Sequence, residues 1–449
     1  EQHYFEEYYA TYSDAPTESL DKLSSQKILA LWMEFEQHAE HESRLGLLQK
    51  LSIMFRFNRN ALKLFLRSPE LVIPYLQSQF YSVKRRELEA EKQELNRKLE
   101  HYAFDAKMDE LTQKSLRLFR AELATRYHWQ SDRRRFEKND FRWNSAEFTS
   151  EYPVALSTTY SIKGTLSIDH IYDYLIVDEA SQVDLATGVL AFSCARNIVI
   201  VGDLKQLPNV LTEDDIRTSD AIWQTYSLDE RYRFSTHSLL SSALEIWQDA
   251  PVTLLREHYR CHPKIINFCN QKFYHGQLIV MTKDHDEPDV LTKYRTIAGN
   301  HARGHLNQRQ IDVIQQEVLP RLHQQNFQSI GIITPYRDQV TAIRKQLGDT
   351  YEVDTVHKFQ GREQDAIILT SVDNVITDFV DDPHMLNVAV SRAVHSLAVV
   401  TSQDPRNDQT NYGDLTRYIE YNNFEVIQSQ VYSVFDMLYQ GYAEQRRAY

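Results

Sequence analysis

The feature that most constrains the fold is a series of short apolar runs that starts near residue 152 and alternates with helical segments. The runs are "PVALST" (153–158), "YLIVDE" (174–179) and "NIVIVGD" (197–203), then "IGIITPY" (330–336), "AIILTSV" (366–372) and "SLAVVTS" (396–402). Short continuous apolar runs, separated by helices, are the pattern of parallel strands covered on both faces. Two such series predict two α/β domains, with a break near "DAPVTLLREHYR" (249–260). Nearly every run turns polar at its C-terminal end, the edge at which open α/β sheets bind ligands.

The first 151 residues have a different texture. "KILALWMEF" and "LGLLQKLSIMF" carry apolar residues at helical spacing, and "VKRRELEAEKQELNRKLEHY" (83–102) holds neither glycine nor proline. Leu88, Leu95 and Tyr102 recur every seven residues, but the charged Glu91 and Lys98 between them leave a narrow stripe rather than a heptad seam. With Met108, Leu111, Leu118 and Phe119 in the next stretch, the pattern predicts a long antiparallel helical pair. That pair is either a solvated arm or one that touches a nucleic acid or partner. "DRRRFEK" (132–138) is the best local basic cluster.

A chain of 449 residues exceeds one ordinary core. Its 42% hydrophobic and 25% charged residues fit a globular protein rather than a disordered one. No apolar run approaches the ~20 residues that cross a bilayer. Cys194, Cys261 and Cys269 show no metal-type spacing, and so few cysteines predict a reducing, cytoplasmic setting. A net charge of -13 argues against a basic nucleic-acid coat protein, but leaves room for an enzyme with a local basic groove.

Two carboxylates, Asp178 and Glu179, close the run "YLIVDE". At a strand end, such a pair can hold magnesium through the first residue and orient or deprotonate water through the second; alone, it equally fits a helix cap. The next run ends in "GDLKQLPNV" (202–210), where Gly202 permits a tight turn and Gln206 offers an amide able to sense a terminal phosphate. The second series supplies cations. Arg260 lies in "LREHYRCHP" and Arg392 in the otherwise apolar "VAVSRAV", where an unpaired charge is costly and an anionic partner is implied.

In order and approximate spacing, "DEASQ", "GDLKQLP", "YRCHP", "TVHKFQGRE" and "NVAVSRA" resemble motifs II to VI of superfamily 1 helicases. The similarity is to the branch containing the nonsense-mediated-decay helicase and the Okazaki-fragment helicase-nuclease, with "ITPYRDQV" and "INFCNQKFY" as further matching segments. It spans roughly residues 152–425. The resemblance implies an α/β fold of two RecA-like parallel-sheet domains, the first incomplete, with a long helical insertion. The implied boundaries are 1–151 for the insertion, 152–250 for the first motor domain, 251–428 for the second and 429–449 for a helical tail.

The resemblance also implies roles. Asp178 binds magnesium, Glu179 is the catalytic base, and Gln206 contacts the γ-phosphate of ATP. Arg260 and Arg392 reach that phosphate from the second domain, and Gly361 and Glu363 match the motif that touches the ribose. Thr158, Thr334, Thr355 and His357 fall where the family meets the backbone of single-stranded DNA or RNA. The branch suggests 5′ to 3′ movement.

One element of the pattern is missing. A phosphate loop needs G-x-x-x-x-G-K-[ST], so that backbone N–H groups and a lysine cradle the phosphates. None of the 12 glycines is followed by lysine. The family places this loop upstream of the helical insertion. The expectation is therefore a chain that begins inside a larger protein, with an N-terminal phosphate-loop segment as its partner and little ATPase activity alone. The other readings are a non-catalytic nucleic-acid-binding scaffold built on a helicase, and an ATP-driven remodeller that translocates without unwinding.

Overall fold

The computed structural model describes residues 16, 20, 22–40, 46–127, 134–297, 299, 301–402 and 404–432. The start of "DRRRFEK" and the tail "SVFDMLYQGYAEQRRAY" lie outside the described residues. The chain forms two compact units, residues 1–134 and 135–449. No helix among the described residues is long and apolar enough to cross a membrane.

The first unit is helical: α1 Ser25–Glu40, α2 Leu47–Arg56, α3 Arg59–Leu64, α4 Pro69–Tyr102 and α5 Phe104–Tyr127. Asn58 caps α3 by accepting from the Ala61 N–H at 2.7 Å, and Pro69 opens α4, where its missing N–H costs nothing. Leu20, Ile28, Leu31, Phe35, Ile53, Leu64, Val72 and Leu76 form the core. Ser25 ties α1 to α4 through the Glu87 carboxylate, at 2.9 Å from N and 2.5 Å from Oγ.

Val83 is the last buried residue of α4, and α5 buries none. Leu88, Leu95, Met108, Leu111, Leu118 and Phe119 are all exposed, so the expected pair does not close a seam. A stripe interrupted by Glu91 and Lys98 is too narrow to bury. One left-handed residue, Ala103 (φ +46°), separates the two helices.

The second unit begins with α6 Asp140–Trp143, α7 Ser145–Glu151 and α8 Ile162–Thr165. Residues 152–158, which contain "PVALST", form no strand. Then come β1 Tyr172–Val177, α9 Leu185–Phe192, β2 Ala195–Ile200, α10 Glu213–Thr225 and α11 Leu239–Ile246. β1 and β2 pair in parallel as a two-stranded sheet, with Val177 opposite Ile200. One face packs Leu175 and Val177 against Leu239 and Leu240. On the other, Tyr174 and Ile176 are each 67% exposed.

The remaining elements are β3 Glu257–His258, α12 Pro263–Phe273, β4 Ile279–Val280, β5 Leu291–Arg295, β6 Ala302–Arg303, β7 Leu306–Asn307, α13 Gln308–Val313, α14 Leu319–Gln324, β8 Ile330–Thr334, α15 Arg337–Leu347, β9 Glu352–Thr355, α16 Val356–Phe359, β10 Gln364–Thr370, α17 Pro383–Val390, β11 Ala393–Thr401, α18 Asn411–Tyr421 and β12 Glu425–Gln428. Six of these strands form one sheet, in the order β12-β5-β11-β10-β8-β9, with every pairing parallel. Both faces are covered. Ile333, Ile367, Leu369, Leu397 and Val399 enter one core with α12, α17 and α18, and Ile332, Ile368, Ala398 and Val400 enter a second with α13, α14 and α15.

Candidate functional site

The ends of β1 and β2 build one wall of the site. Val177 is buried, Asp178 is exposed, and Glu179 holds φ +51°. A long side chain in that region is strained, and such strain persists where surrounding structure imposes it. Here the imposition is visible. The ladder continues past the strand through Val201 N–H to Val177 O at 2.8 Å and Ala180 N–H to Val201 O at 2.9 Å. A Cβ on Gly202 would lie 3.0 Å from Ala180 N and 3.1 Å from Ser181 N. Gly202 therefore serves close approach of the two strand ends rather than the tight turn expected of it. Asp178 Oδ1 accepts from the Glu179 N–H at 2.9 Å.

The other wall comes from the six-stranded half. Gln360 Nε2 donates to Glu179 Oε2 at 3.3 Å, while its own buried Oε1 makes no hydrogen bond among the described residues. Arg260 forms an ion pair with Glu363. Arg392 is 4% exposed and donates from Nε to Val388 O at 3.1 Å and from Nη2 to Ser391 Oγ at 3.2 Å. Among the described residues it has no carboxylate within ion-pair distance. Burial, then the charge of Arg260, pull the Arg392 pKa down, while Glu179 and Glu363 oppose the shift. His258 sits against the same two guanidinium groups and is pushed down to about 4, chiefly by burial. It is therefore neutral at pH 7, and its Nε2 accepts from the Cys261 N–H at 2.9 Å.

A second set of contacts joins the walls around Gln206. Gln206 Nε2 donates to Asp203 Oδ2 at 3.1 Å, and the Tyr274 hydroxyl donates to the same oxygen at 2.6 Å. Asn387 Nδ2 donates to that hydroxyl and to Lys205 O, both at 2.8 Å. Burial first, then the Asp203 carboxylate, push the Tyr274 pKa up. Leu207, 2% exposed, enters the core of the larger sheet. The loop after β2 is thus tied by polar and apolar contacts to α12 and α17.

Glu179, Arg260, Glu363 and Arg392 therefore gather in one cleft, with Gln206 anchored through Asp203. Gly361 takes φ +75° in the turn between Gln360 and Glu363. The residues expected to meet nucleic acid are dispersed. Thr158 is exposed, and its Oγ1 accepts from the Ser161 N–H at 3.2 Å. Thr334 and Thr355 are register partners at the ends of β8 and β9. Both are buried, and the Thr334 hydroxyl makes no hydrogen bond among the described residues, so neither side chain faces solvent in this conformation. His357 is exposed on α16. Gln360, Asp203, Tyr274 and Asn387 were not singled out in the sequence, although each lies inside or beside a motif string.

His262, Asp284 and Glu287 come close enough to suggest a metal site, but their bonding is already complete. His262 Nδ1 accepts from the Lys264 N–H at 3.1 Å, which leaves the proton on Nε2, 3.2 Å from Glu287. The Lys264 ammonium lies 3.2 Å from Asp284.

Two family models, each described as an AAA domain, match the chain in tandem over residues 18–213 and 235–404. The 5′-3′ DNA helicase ZGRF1 of Mus musculus is 28% identical over 253 residues, covering 51% of this chain and 13% of that protein. The DNA replication ATP-dependent helicase/nuclease DNA2 of Gallus gallus is 27% identical over 267 residues, covering 57% of this chain and 25% of that protein. The chain thus spans a quarter or less of the length of these relatives. A crystal structure of arterivirus nonstructural protein 10 (helicase) overlays with a TM-score of 0.31 at 14% identity, over 60% of this chain and 52% of that one, a likeness too slight to carry weight. The tandem domain matches and the helicase relatives, together with the motif strings in order, make this chain a member of helicase superfamily 1, in the branch to which DNA2 belongs.

Proposed function

We propose that the chain is the motor portion of an ATP-dependent helicase or translocase that moves on single-stranded DNA or RNA. The observation that carries this reading is the cleft between β1–β2 and the six-stranded half, where a strained Glu179 acts electrostatically on the buried Arg392, which also feels Arg260 and Glu363. In this reading Glu179 takes the proton of the attacking water and Gln206 senses the terminal phosphate. The two arginines stabilise charge on the transferring group, a contribution worth roughly 10³ to 10⁵ in rate. Asp178 suits a magnesium ion, being an exposed carboxylate at a strand end with one oxygen not engaged by the Glu179 N–H. The bound ion supplies charge neutralisation. Gly361 and Glu363 serve the ribose, with Arg260 leaving Glu363 for the phosphate when nucleotide enters. Thr158, Thr334, Thr355 and His357 serve the nucleic-acid backbone, the threonines of β8 and β9 only after a rearrangement that uncovers them.

The phosphate cradle comes from a further segment of the same protein. Two observations support this. No glycine in the chain is followed by lysine, and the parallel pair β1–β2 leaves Tyr174 and Ile176 exposed, although parallel sheets are normally covered on both faces. The purified 449-residue chain should accordingly show little magnesium-dependent ATP hydrolysis, and robust turnover would overturn this reading. Joined to a segment bearing G-x-x-x-x-G-K-[ST], it should hydrolyse ATP in response to single strands, and Glu179→Gln should then lower kcat by about 10²- to 10⁴-fold. Undiminished turnover in that variant would remove Glu179 as the base.

The absent loop alone favours a second reading, a nucleic-acid-binding scaffold without catalysis. A buried guanidinium with no carboxylate partner among the described residues, and a carboxylate held at positive φ, argue against it, since both are costly features that a dead site does not need.

A further inference from the structure

The arm made by α4 and α5 leaves a long apolar surface in water. Leu88, Leu95 and Leu99 on α4 are 51% to 63% exposed, and Met108, Leu111 and Leu118 on α5 are 43% to 64% exposed. Helices in proteins draw most of their stability from packing an amphipathic face, yet α5 buries none of its 24 residues.

The two helices cannot cover each other within one chain. Ala103 alone joins them. Its N–H closes α4 on Leu99 O at 3.1 Å, and its carbonyl opens α5 by accepting from the Lys107 N–H at 3.1 Å. An antiparallel helix hairpin needs a loop of about two to five residues. The cover for these stripes therefore has to come from another molecule.

The pattern fits a second copy lying antiparallel. In a two-fold contact centred on Ala103, residues equidistant from it meet, and each meeting occurs twice. Leu95 and Leu111 each lie eight residues from Ala103, and Leu88 and Leu118 each lie fifteen. Leu99 and Met108 fall opposite each other to within one residue. So do two pairs of opposite charge, Arg85 with Glu122 and Glu91 with Lys114. In the single chain Arg85 pairs with Glu89 at 3.0 Å and Lys114 with Glu110 at 2.6 Å, exposed pairs of small value that exchange at little cost. Lys98 and Lys107 also meet, but Glu94 lies 3.5 Å from Lys98.

The apolar side chains of the arm would put on the order of 700 Å² per copy out of water, close to the ~800 Å² per partner of a standard stable interface. A nucleic acid fits the arm less well. Acidic and basic residues are interspersed along both helices, which gives no continuous cationic track for phosphates.

We propose that the arm is a dimerisation element, in which α4 of one copy lies antiparallel against α5 of a second copy of this chain, about a two-fold axis near Ala103. The contact uses no residue of the cleft, so it stands or falls apart from the motor reading.

Sedimentation velocity of the 449-residue chain should show a monomer–dimer equilibrium at micromolar concentrations. Leu95→Glu and Leu111→Glu, both at exposed positions, should each weaken the dimer by about a hundredfold or more, because each buries a charge at two places in it. Arg85→Glu should also weaken it, and adding Glu122→Arg to the same chain should restore it, a rescue that an unfolded arm would not show. Leu95→Cys combined with Leu111→Cys should link two chains under a mild oxidant. A disulfide within one chain, or none, would refute the antiparallel contact. So would a chain that stays monomeric at high micromolar concentration, a dimer indifferent to the two glutamates, or a charge exchange that restores nothing.

Discussion

At the scale of single residues, the cleft is defined by what it does to protons. His258 is kept neutral by burial and by Arg260 and Arg392, with its pKa pushed down to about 4. Its ordinary value is about 6.5. Between those two values the unfolded chain takes up a proton that the folded chain refuses. Stability is therefore complete above about pH 6.5 and is lost as the pH falls toward 4. From pH 7 to pH 5 the loss attributable to this one imidazole is about 2 kcal/mol. His258→Gln keeps an acceptor for the Cys261 N–H but cannot titrate. Urea denaturation at the two pH values should show a smaller drop in the midpoint for the variant than for the parent. Equal drops would mean that the imidazole titrates normally and that the two arginines do not act on it.

At the scale of elements, the strands with continuous apolar cores were legible and the others were not. "YLIV", "NIVI", "IGIIT", "AIILT" and "SLAVVT" all lie within strands, and in the last three, which belong to the six-stranded sheet, two covered faces demand apolar residues. β5 escaped notice because it carries Lys293, which is buried yet paired with Glu420 at 2.8 Å. β9 and β12, the edge strands, mix polar and apolar residues. "PVALST" has strand composition but forms no ladder, since pairing is not a local property. Gly331 shows how tightly the legible strands are packed. A Cβ there would lie 2.9 Å from Ile367 Cδ1, Phe359 Cε1 and Gln364 Cγ, where β8 meets β10 and α16. Gly331→Ala should cost about 1–3 kcal/mol through overpacking, read as a lowered urea midpoint. An unchanged midpoint would show that α16 can shift to make room.

At the scale of the molecule, the motifs named the groups of the cleft but not how its walls hold each other. Asp178, Glu179, Gln206, Arg260, Glu363 and Arg392 could be singled out because each lies in one of the motif strings whose order along the chain carries the family resemblance. Gln360, Tyr274 and Asn387 were not, because an amide or phenol acquires meaning only from a partner up to 182 residues away, as Asn387 does from Lys205. These contacts bind the loop carrying Gln206 to the opposite half, so any change sensed at Gln206 must strain or release them. If Tyr274 and Asn387 act as one network on Asp203 and Lys205, their energies cannot be independent. Tyr274→Phe removes the hydroxyl that Asn387 also donates to, so the second substitution, Asn387→Ala, should cost less in that background than in the parent. A double-mutant cycle on urea unfolding should give a coupling of about 0.5–3 kcal/mol. Additivity within about 0.5 kcal/mol would mean that the two bonds merely coexist and do not act as one network.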